Sequence, residues 1–266
     1  MTKTELNIIL SNFDVNTSKY SYEIINTGYI NDSYYIIENG ERKYVLQKIN
    51  TNVFKNIDAI KNNISLSINN LKDLGYHKIK FINPISQELF YNSGKEYWRL
   101  MEYVKDSYTK DNAENTNDAF EAGRILSLFH ILLKDEDLEK YLYTLDNFHN
   151  LSYRIKEFEE SLDNSDSNLK EECKEEINFS IEMFDRLIVF YNSSLPERIC
   201  HNDSKLNNIL FSSSSKGLCM IDLDTIMKGY FHYDFGDAIR TIVNPASEEE
   251  KDLSKILFNK SLLKPL

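Results

Sequence analysis

The chain has 266 residues, of which 41% are hydrophobic and 27% charged, and its formal net charge is −11. These values are typical of a folded protein with a sizeable core and exclude a disordered chain or a mini-protein. No apolar run approaches the roughly 20 residues of a membrane helix, and the first residues form no signal-peptide pattern, so we expect a cytoplasmic protein without a membrane partner. The acidic balance and the lack of long basic runs argue against nucleic acid as a partner.

The first part of the chain predicts an antiparallel sheet. Three β-rich runs cover residues 22–25, 33–37 and 43–49, and Asn39-Gly40, a favoured hairpin dipeptide, joins the last two. Apolar residues spaced by three or four between Val53 and Leu74 then predict one helix that ends at Gly75. Three further strands are expected at residues 81–85, 88–91 and 97–104.

The second part of the chain predicts mainly helices. Residues 105–117 are polar and form the candidate linker, and apolar faces over 119–133 and 169–188 predict helices. Two short apolar runs, 208–211 and 218–221, predict a hairpin. We therefore expect an α+β fold with a sheet lobe over residues 1–104 and a helical lobe, carrying the hairpin, over residues 105–266.

The residues around this hairpin include the groups that phosphoryl transfer from ATP requires. The reaction needs a carboxylate to accept a hydroxyl proton, oxygen ligands for Mg²⁺, and cations for the phosphates. Asp203 lies in a loop, Asn208 follows just before an apolar strand, and Asp222 ends the second strand of the hairpin. We expect the loop and hairpin to direct these side chains into one cleft, where their hard oxygen atoms suit Mg²⁺.

The pattern His201-x-Asp203-x-x-x-x-Asn208 followed by Asp222 resembles the motif of kinases and of aminoglycoside and choline-type phosphotransferases. The resemblance implies that Asp203 is the catalytic base and that Asn208 and Asp222 are the metal ligands. It also implies that Lys205 contacts the transferring phosphate. We interpret His201 as a buried side chain that supports the loop.

Two further acidic residues follow the motif. Asp224 is a candidate for a second metal contact, a substrate contact or a simple turn residue. The triplet that begins at Asp234 spells the magnesium-binding motif of protein kinases, but it lies too far after Asp203 for that role. Asp234 instead resembles the buried aspartate that supports the catalytic loop in aminoglycoside-type kinases.

The segment from Thr27 to Ser33 lies between two predicted strands, where kinase-like folds place the loop that covers the nucleotide phosphates. The backbone at Gly28 and the hydroxyl of Ser33 are expected to contact phosphate. Asn31 and Asp32 are candidates for substrate contacts or for supporting positions. An ordinary hairpin loop is the alternative interpretation.

Lys48, on the third predicted strand, is at the position where kinase-like folds carry the cation that pairs with the α- and β-phosphates. A solvated strand lysine is the alternative. Kinases usually supply a partner glutamate from the following helix, but residues 52–74 contain none. Asp58 and Asn63 are the candidates to replace it.

The strand over residues 98–104 is at the position of the hinge between the two lobes. Backbone groups there, at Glu102 and Val104, are expected to pair with adenine. A strand of the core explains the apolar residues of this segment equally well.

Longer segments resemble the N-acetylhexosamine 1-kinase branch of the aminoglycoside phosphotransferase superfamily. The resemblance implies a bilobal protein-kinase-like fold and ATP-dependent, Mg²⁺-dependent phosphorylation of the anomeric hydroxyl of GlcNAc or GalNAc. The segments are Gly28 to Tyr34, Val45 to Asn50, His201 to Asn208, Ile221 to Thr225 and Asp234 to Arg240.

Two departures from that branch leave alternatives open. Tyr29 stands where close relatives are expected to have histidine. Family members also continue beyond Leu266, so we expect a truncated chain in which the helix announced by Ser247 and residues 248–250 is cut short. The alternatives are a weakly active nucleotide-binding remnant and a kinase of aminoglycoside or choline-type acceptors. The sequence indicates no oligomeric state.

Overall fold

The structure is a computed structural model that describes residues 1–15, 20–26, 28, 30–72, 75–191, 195–247 and 250–264. The chain divides into two compact units, Met1–Thr144 together with Arg198–Leu266, and Leu145–Glu197. The described residues form sheets and helices in the first unit and helices in the second, so the predicted α+β class is confirmed. The lobe boundary between residues 104 and 105 lies within the first unit and stays a prediction.

The first unit contains the predicted antiparallel sheet. Its strand order is β1-β2-β3-β6-β4, and β5 pairs with β6. The β2–β3 hairpin turns at Asn39 and Gly40, whose φ angles of 52° and 82° lie in the left-handed region that such two-residue turns require. The strands are β1 Tyr20–Ile25, β2 Asp32–Glu38, β3 Glu41–Lys48, β4 Phe81–Ile82, β5 Tyr91–Asn92 and β6 Tyr97–Glu102.

A helix that the sequence analysis did not predict, α1 over Lys3–Leu10, packs on this sheet. Thr2 caps it: the Thr2 hydroxyl accepts a hydrogen bond from the Glu5 backbone, and the Glu5 carboxylate accepts one from Thr2. Leu6 and Leu10 are fully buried in the core of the sheet. Burial of each such leucine contributes about 1.5–3 kcal/mol, which fixes this helix to the sheet.

The helix predicted over residues 53–74 is shorter than expected. It is α2, Ile57–Ser67, and it begins after Asn56, whose side chain accepts a hydrogen bond from the first turn of the helix. Gly75 has a φ of 82°, but it lies well beyond the end of the helix and does not cap it. Leu74 lies outside the described residues.

The remaining part of the first unit is built around the predicted hairpin. The candidate linker 105–117 contains a short strand, β7, and the order of this sheet is β10-β9-β7. Strands β8 and β11, which were not predicted, form a separate pair. The elements are β7 Ser107–Tyr108, α3 Thr116–Leu132, β8 Arg198–Cys200, β9 Ile209–Ser212, β10 Gly217–Met220 and β11 Met227–Gly229.

Helix α3 holds the hairpin through the start of β10. The Gly217 amide donates a hydrogen bond to Glu121 (2.9 Å), and its carbonyl accepts one from Arg124 (2.6 Å). A Cβ atom at Gly217 would lie 2.7 Å from the Ile125 side chain. The backbone of the hairpin therefore approaches α3 as closely as a glycine allows, and this fixes the hairpin relative to the helix.

The second unit consists of α4 Leu151–Asn164, α5 Ser167–Glu172 and α6 Lys174–Tyr191. The apolar face predicted over residues 169–188 is divided between α5 and α6, and α4 was not predicted. Two phenylalanine rings, Phe158 on α4 and Phe184 on α6, meet edge to face with centroids 5.2 Å apart. Aromatic pairs of this geometry stabilise helix packing.

The last helices of the first unit are α7 Phe231–Ile242 and the short α8 Lys260–Leu263. Short 3-10 helices lie at Leu138–Lys140, Leu206–Asn208, Leu223–Thr225 and Leu253–Lys255. A helix was predicted to begin after Ser247, and its residues 248 and 249 lie outside the described residues. No helix in the described part of the chain combines the length and apolar character needed to cross a membrane.

Candidate active site

A cleft of roughly 1340 Å³ opens between the β1–β2 loop, strands β3 and β6, and the β9–β10 hairpin. One end is apolar and the other carries charged and amide side chains. At the apolar end Val45 and Met101 are strand partners, and the next cleft-facing pair of these strands, toward Asp222, is Gln47 and Arg99. The lining also includes the apolar side chains of Ile25, Leu210 and Ile221. The polar end is lined by Asp203, Lys205, Asn207, Asn208 and Asp222. Clefts that combine an apolar wall with a few convergent polar groups are typical ligand sites.

The Asp203 carboxylate faces this cleft in a fixed orientation. Asn208 Nδ2 donates hydrogen bonds to both the backbone oxygen and Oδ2 of Asp203, each 2.8 Å long. Lys205 Nζ lies 3.7 Å from the other carboxylate oxygen, Oδ1. An amide and a cation therefore hold the carboxylate while part of it stays open to the cleft.

Hydrogen bonds to Asp234 hold the loop that carries Asp203 in place. The Asp234 carboxylate accepts hydrogen bonds from the backbone amides of His201 (2.8 Å) and Asn202 (2.6 Å). The Asp234 backbone oxygen accepts a third bond, from the Ser204 hydroxyl (2.6 Å). Asp234 is fully buried and does not line the cleft, so it supports the loop and does not face a ligand.

His201 links the loop to the end of β10. Its Nε2 lies 2.9 Å from the Ile221 carbonyl oxygen, and its Nδ1 lies 3.3 Å from the Asp203 amide. Since the carbonyl must accept and the amide must donate, this geometry selects the neutral tautomer with the proton on Nε2. His201 is fully buried and fixes the position of Asp203 without reaching the cleft.

Asp222 stands at the end of β10 with a left-handed backbone, φ 58° and ψ 61°, a conformation that aspartate tolerates better than most residues. The Ile221 amide donates to the Asn208 carbonyl (2.8 Å), so the chain on either side of the hairpin is held together here. The Asp222 side chain is 36% exposed in the cleft. The surrounding protein nevertheless raises its pKa to about 6, through burial first and the neighbouring Asp224 second.

A buried network lies behind Asp222. The guanidinium of Arg99, on β6, pairs with the Asp224 carboxylate through both terminal nitrogens and lies 3.5 Å from Asp222 Oδ1. Asn31 Nδ2 donates to Asp224 Oδ2 (2.7 Å), and Asn31 Oδ1 accepts from the Asn50 amide (2.9 Å). Asp224 does not line the cleft; it joins the β1–β2 loop to the sheet and to the hairpin.

The sequence analysis missed Arg99. The only signal was a charged residue within the apolar strand over residues 98–104, and this was interpreted as part of the hinge. The residue is 1% exposed. Arginine is almost never buried without a partner, so this burial implies that Arg99 has one. Its partner Asp224 lies far along the chain, so the pair could not be assigned from spacing.

Lys48 is not at the place we expected. Adjacent side chains of a strand point to opposite faces, and on β3 it is Gln47 that lines the cleft. Lys48 Nζ lies 2.6 Å from Asp32 and 3.7 Å from Glu96. Asp32 is likewise paired there and absent from the cleft lining, so neither predicted residue is brought to the cleft.

The other residues predicted for the nucleotide all line the cleft. Gly28, Asn31 and Ser33 lie on the side of the β1–β2 loop, and Glu102 and Val104 lie at the apolar end. The Ser33 hydroxyl accepts a hydrogen bond from Gln47 (2.9 Å), and the Glu102 carboxylate pairs with Lys80. Thr27 and Tyr29, in the same loop, lie outside the described residues.

A second cavity of roughly 750 Å³ adjoins the first. Lys205 and Asn207 line both cavities, so they mark the boundary between them. The second cavity is also lined by Asp111, Asn112, Arg240, Thr241, Asn244, Ala246 and Ser247. Among the described residues the buried Asn207 Oδ1 atom has no hydrogen-bond partner.

Comparison with known proteins places this geometry in a family. A model of the phosphotransferase enzyme family matches residues 21–253 of the chain. The chain belongs to this family. Membership in the aminoglycoside phosphotransferase and choline kinase superfamily, which the motif around Asp203 predicted, is thereby confirmed.

Solved structures with the same kinase-like fold confirm the predicted architecture of this phosphotransferase. The amicoumacin kinase hAmiN, in complex with AMP-PNP, Ca²⁺ and Ami, is 11% identical; the match covers 99% of this chain and 75% of that one, with a TM-score of 0.64. A microcompartment-associated aminopropanol kinase is 16% identical (90% and 74% covered, TM-score 0.58). A choline/ethanolamine kinase family protein from Mesorhizobium loti is 12% identical (100% and 76% covered, TM-score 0.58).

The donor atoms of this phosphotransferase fit a divalent cation at the polar end of the cleft. Because Asn208 Nδ2 is used by Asp203, the amide oxygen Oδ1 is the atom left for a metal ion. Asp222 adds a carboxylate that is partly open to the cleft. One amide oxygen and one carboxylate, with room for water and phosphate oxygens, suit the way Mg²⁺ is bound in phosphoryl-transfer sites.

Proposed function

We propose that this protein is an ATP-dependent phosphotransferase that acts on the anomeric hydroxyl of an N-acetylhexosamine, GlcNAc or GalNAc, and releases the sugar 1-phosphate. The observation that carries the proposal is the fixed Asp203 carboxylate beside the two residues, Lys205 and Asn207, that the cavities share. A carboxylate at such a boundary can take a proton from a hydroxyl in one cavity while the phosphoryl donor occupies the other.

Asp203 acts as the general base in this proposal. The acceptor hydroxyl gives its proton to a carboxylate oxygen of Asp203, the hydroxyl oxygen bonds to the γ-phosphorus, and the bond from that phosphorus to the bridging oxygen of ADP breaks. A positioned base contributes typically about 10²–10⁴-fold to the rate. The Asn208 amide holds the carboxylate through Oδ2 and leaves Oδ1 on the side of Lys205.

Lys205 supplies positive charge where the phosphoryl group is transferred. It lines both cavities, and its ammonium lies near the Asp203 carboxylate. A cation at this position stabilises charge on the moving phosphoryl oxygens. Asn208 and Asp222 would hold Mg²⁺, which when bound neutralises phosphate charge during transfer.

We place the nucleotide along the first cleft, between the β1–β2 loop and the β9–β10 hairpin. Adenine would lie at the apolar end, beside the backbone of Glu102 and Val104, and the phosphates under Gly28 and Ser33. This orientation is supported by the separation of the apolar and polar ends of the cleft, because adenine is the apolar part of ATP and the phosphates are its charged part.

The second cavity is the proposed acceptor site. Among its lining residues are two cations, Lys205 and Arg240, and one carboxylate, Asp111; Arg240 also pairs with Asp237 at 2.6 Å. The lining residues named above include no aromatic side chain of the kind that binds quaternary ammonium groups. This composition favours a neutral hydroxyl compound such as an amino sugar with an acetylated nitrogen over a polycationic acceptor. The choice of GlcNAc or GalNAc rests on the family resemblance of the motifs.

The proposal is tested with purified protein, ATP, Mg²⁺ and a panel of acceptors: GlcNAc, GalNAc, choline, aminopropanol and kanamycin. We expect acceptor-dependent ADP release with one or both sugars and none with choline. A matched control is Asp58→Asn, which removes a surface carboxylate with 86% of its side chain exposed and is expected to keep full activity. Failure of every sugar while a cationic acceptor is phosphorylated would overturn the proposed acceptor.

The second candidate is a kinase of cationic acceptors of the aminoglycoside, choline or aminopropanol type. The fold neighbours favour it, since an aminopropanol kinase and a choline/ethanolamine kinase family protein are among them. The same acceptor panel separates it from the sugar kinase. A cytoplasmic location remains a prediction from the sequence.

A further inference from the structure

The most unusual charged group in the nucleotide cleft is the Arg99 guanidinium. It is 1% exposed, and its contacts within the described residues account for all three nitrogens: Nε donates to Gln47 Oε1 (2.8 Å), and the terminal nitrogens face Asp224 and Asp222. An arginine buried to this degree needs paired acceptors, because the cost of removing its charge from water is otherwise several kcal/mol. The two carboxylates and the glutamine amide supply them.

The pairing register of β3 and β6 shows which strand supplies the cation in the wall of the cleft. Gln47 and Arg99 are direct partners in the β3–β6 pairing. On β3 the side chain that faces the cleft is the neutral Gln47, whereas Lys48 faces the other side. The wall of the cleft therefore has no lysine from β3, and the neighbouring strand provides an arginine in its place.

Helix α2 offers no alternative ion pair. Asn63, a candidate to replace the missing glutamate, is fully buried, but its amide donates to the Leu142 and Ile226 carbonyls (2.7 Å each) and accepts from the Leu142 backbone (3.0 Å). Its hydrogen bonds are directed at the backbone and do not reach Lys48. Asp58, the other candidate, pairs with Lys61 at the surface (2.8 Å).

The contacts of Arg99 form a chain of side chains that links β2 and β3 to β6, to the 3-10 helix Leu223–Thr225 and to the loop before β2. From Ser33 the chain runs through Gln47 to Arg99 and then to Asp224 and Asn31, so it begins and ends near the loop expected over the phosphates. Asp222, the proposed metal ligand, is a branch of this chain. Asp222 is thus connected to Asn31 and Ser33 through the contacts of Arg99.

We propose that Arg99 is the positioning residue of the metal-nucleotide site: it orients the Asp222 carboxylate for the divalent cation and joins it, through Asp224, to the phosphate-covering loop. The proposal rests on the proposed function, since it takes the cleft to be the site of ATP and its metal ion. It differs from the role expected for Lys48, which was to pair with the α- and β-phosphates. An ion pair between Arg99 on β6 and Asp224, in the 3-10 helix that follows β10, takes the place of the strand-to-helix pair of other kinases.

The test measures how strongly AMP-PNP binding depends on Mg²⁺, by calorimetry in Mg²⁺ and in EDTA. This ratio of dissociation constants needs no acceptor and no turnover. We expect Arg99→Met to reduce the ratio by about 10–100-fold, the range seen when partners of metal ligands are removed. Arg99→Lys should give an intermediate reduction, because lysine keeps the charge but cannot form the forked contacts of arginine.

Two further variants keep the test decisive. Arg99→Met leaves buried carboxylates without a counter-ion, so Arg99→Met/Asp224→Asn removes one of those charges together with the arginine. We expect the double variant to fold and still show the reduced ratio. Lys43→Met, which removes a surface lysine of β3 that pairs with Glu41, is the control and should keep the wild-type ratio.

The outcomes separate this inference from the proposed function. If the wild-type protein shows no Mg²⁺-dependent binding of AMP-PNP, the proposed function fails and this inference fails with it. If the wild type shows the dependence and the folded Arg99 variants keep it, only the role of Arg99 is overturned. Should both neutral variants fail to fold, Arg99→Lys decides, and an unchanged ratio in that variant overturns the inference. Loss of the dependence in Lys48→Met alone would return the role to Lys48.

Discussion

The loop around Asp203 and the sheet around Arg99 hold their charged groups in opposite ways. Asp203 is partly open to the cleft, and the loop beneath it is fixed by backbone hydrogen bonds to the buried Asp234. Arg99 is fully buried and is held by side chains from two segments far apart in the chain, Gln47 on β3 and the carboxylates of Asp222 and Asp224. The loop therefore presents a reactive group to the cleft, whereas the sheet fixes the positions of the groups around it.

The largest expected effect comes from the reactive group of the loop. Asp203→Asn keeps the size of the side chain but removes the proton acceptor, so kcat should fall by about 10²–10⁴-fold while the affinity for ATP changes little. Steady-state kinetics with the active acceptor and calorimetry with AMP-PNP measure the two quantities. Equal kcat in the variant and the wild type would show that Asp203 is not the base.

The next effect concerns stability in the sheet. Arg99→Met removes the counter-ion of buried Asp224, and breaking a buried pair in this way costs about 3–5 kcal/mol of unfolding free energy. Lys48→Met, on the same sheet, removes a partly exposed cation and should cost less than about 1 kcal/mol. Urea unfolding followed by circular dichroism compares the two. Equal losses for both variants would show that the buried Arg99 and the partly exposed Lys48 contribute equally to stability, which contradicts this prediction.

The support beneath the loop should have a somewhat smaller effect. Asp234→Ala leaves the amides of His201 and Asn202 without their acceptor, and each buried unsatisfied amide costs about 1–3 kcal/mol. We therefore expect a loss of about 3 kcal/mol, together with weaker activity because Asp203 is less well positioned. Thermal and urea unfolding measure the loss, and Asp58→Asn serves as the exposed control. An effect no larger than that of the control would contradict the support role.

The smallest effect is expected at the link between loop and sheet. Asn31→Ala removes one hydrogen bond to Asp224 and one from the Asn50 amide, but the Arg99 pair remains. We expect a loss of about 1–2 kcal/mol and a weaker affinity for AMP-PNP. Calorimetry at a fixed Mg²⁺ concentration measures the affinity. An unchanged affinity would mean that the loop is ordered without Asn31.

Much of the site could be predicted because it is local in sequence. Asp203, Asn208 and Asp222 lie in one loop and one hairpin, and a hairpin fixes its own geometry over a short distance. The structure brings these three side chains to the same end of the cleft. The turn at Asn39-Gly40 was predictable for the same reason, since a two-residue turn of this kind depends on the conformational preferences of its own residues.

The rest depends on contacts between distant segments. A shift of one residue in the pairing of a strand moves every side chain to the opposite face of the sheet. Such a shift decides whether Gln47 or Lys48 faces the cleft, and the composition of the strand does not determine the pairing. The pairing of Arg99 with Asp224 requires the packing of the sheet on the hairpin. Similarly, α2 begins after its Asn56 cap although the apolar spacing starts earlier at Val53, because hydrophobic periodicity marks helix boundaries poorly.

Transfer of the label from [γ-³²P]ATP into GlcNAc decides whether the protein carries out the proposed reaction. Anomeric phosphates are hydrolysed by mild acid, whereas phosphate esters of the other sugar hydroxyls are stable to it. We predict Mg²⁺-dependent transfer that Asp203→Asn reduces by at least about 10²-fold, with a product whose label is released by mild acid. Absence of transfer to GlcNAc and GalNAc, or a product stable to mild acid, would contradict the proposed reaction.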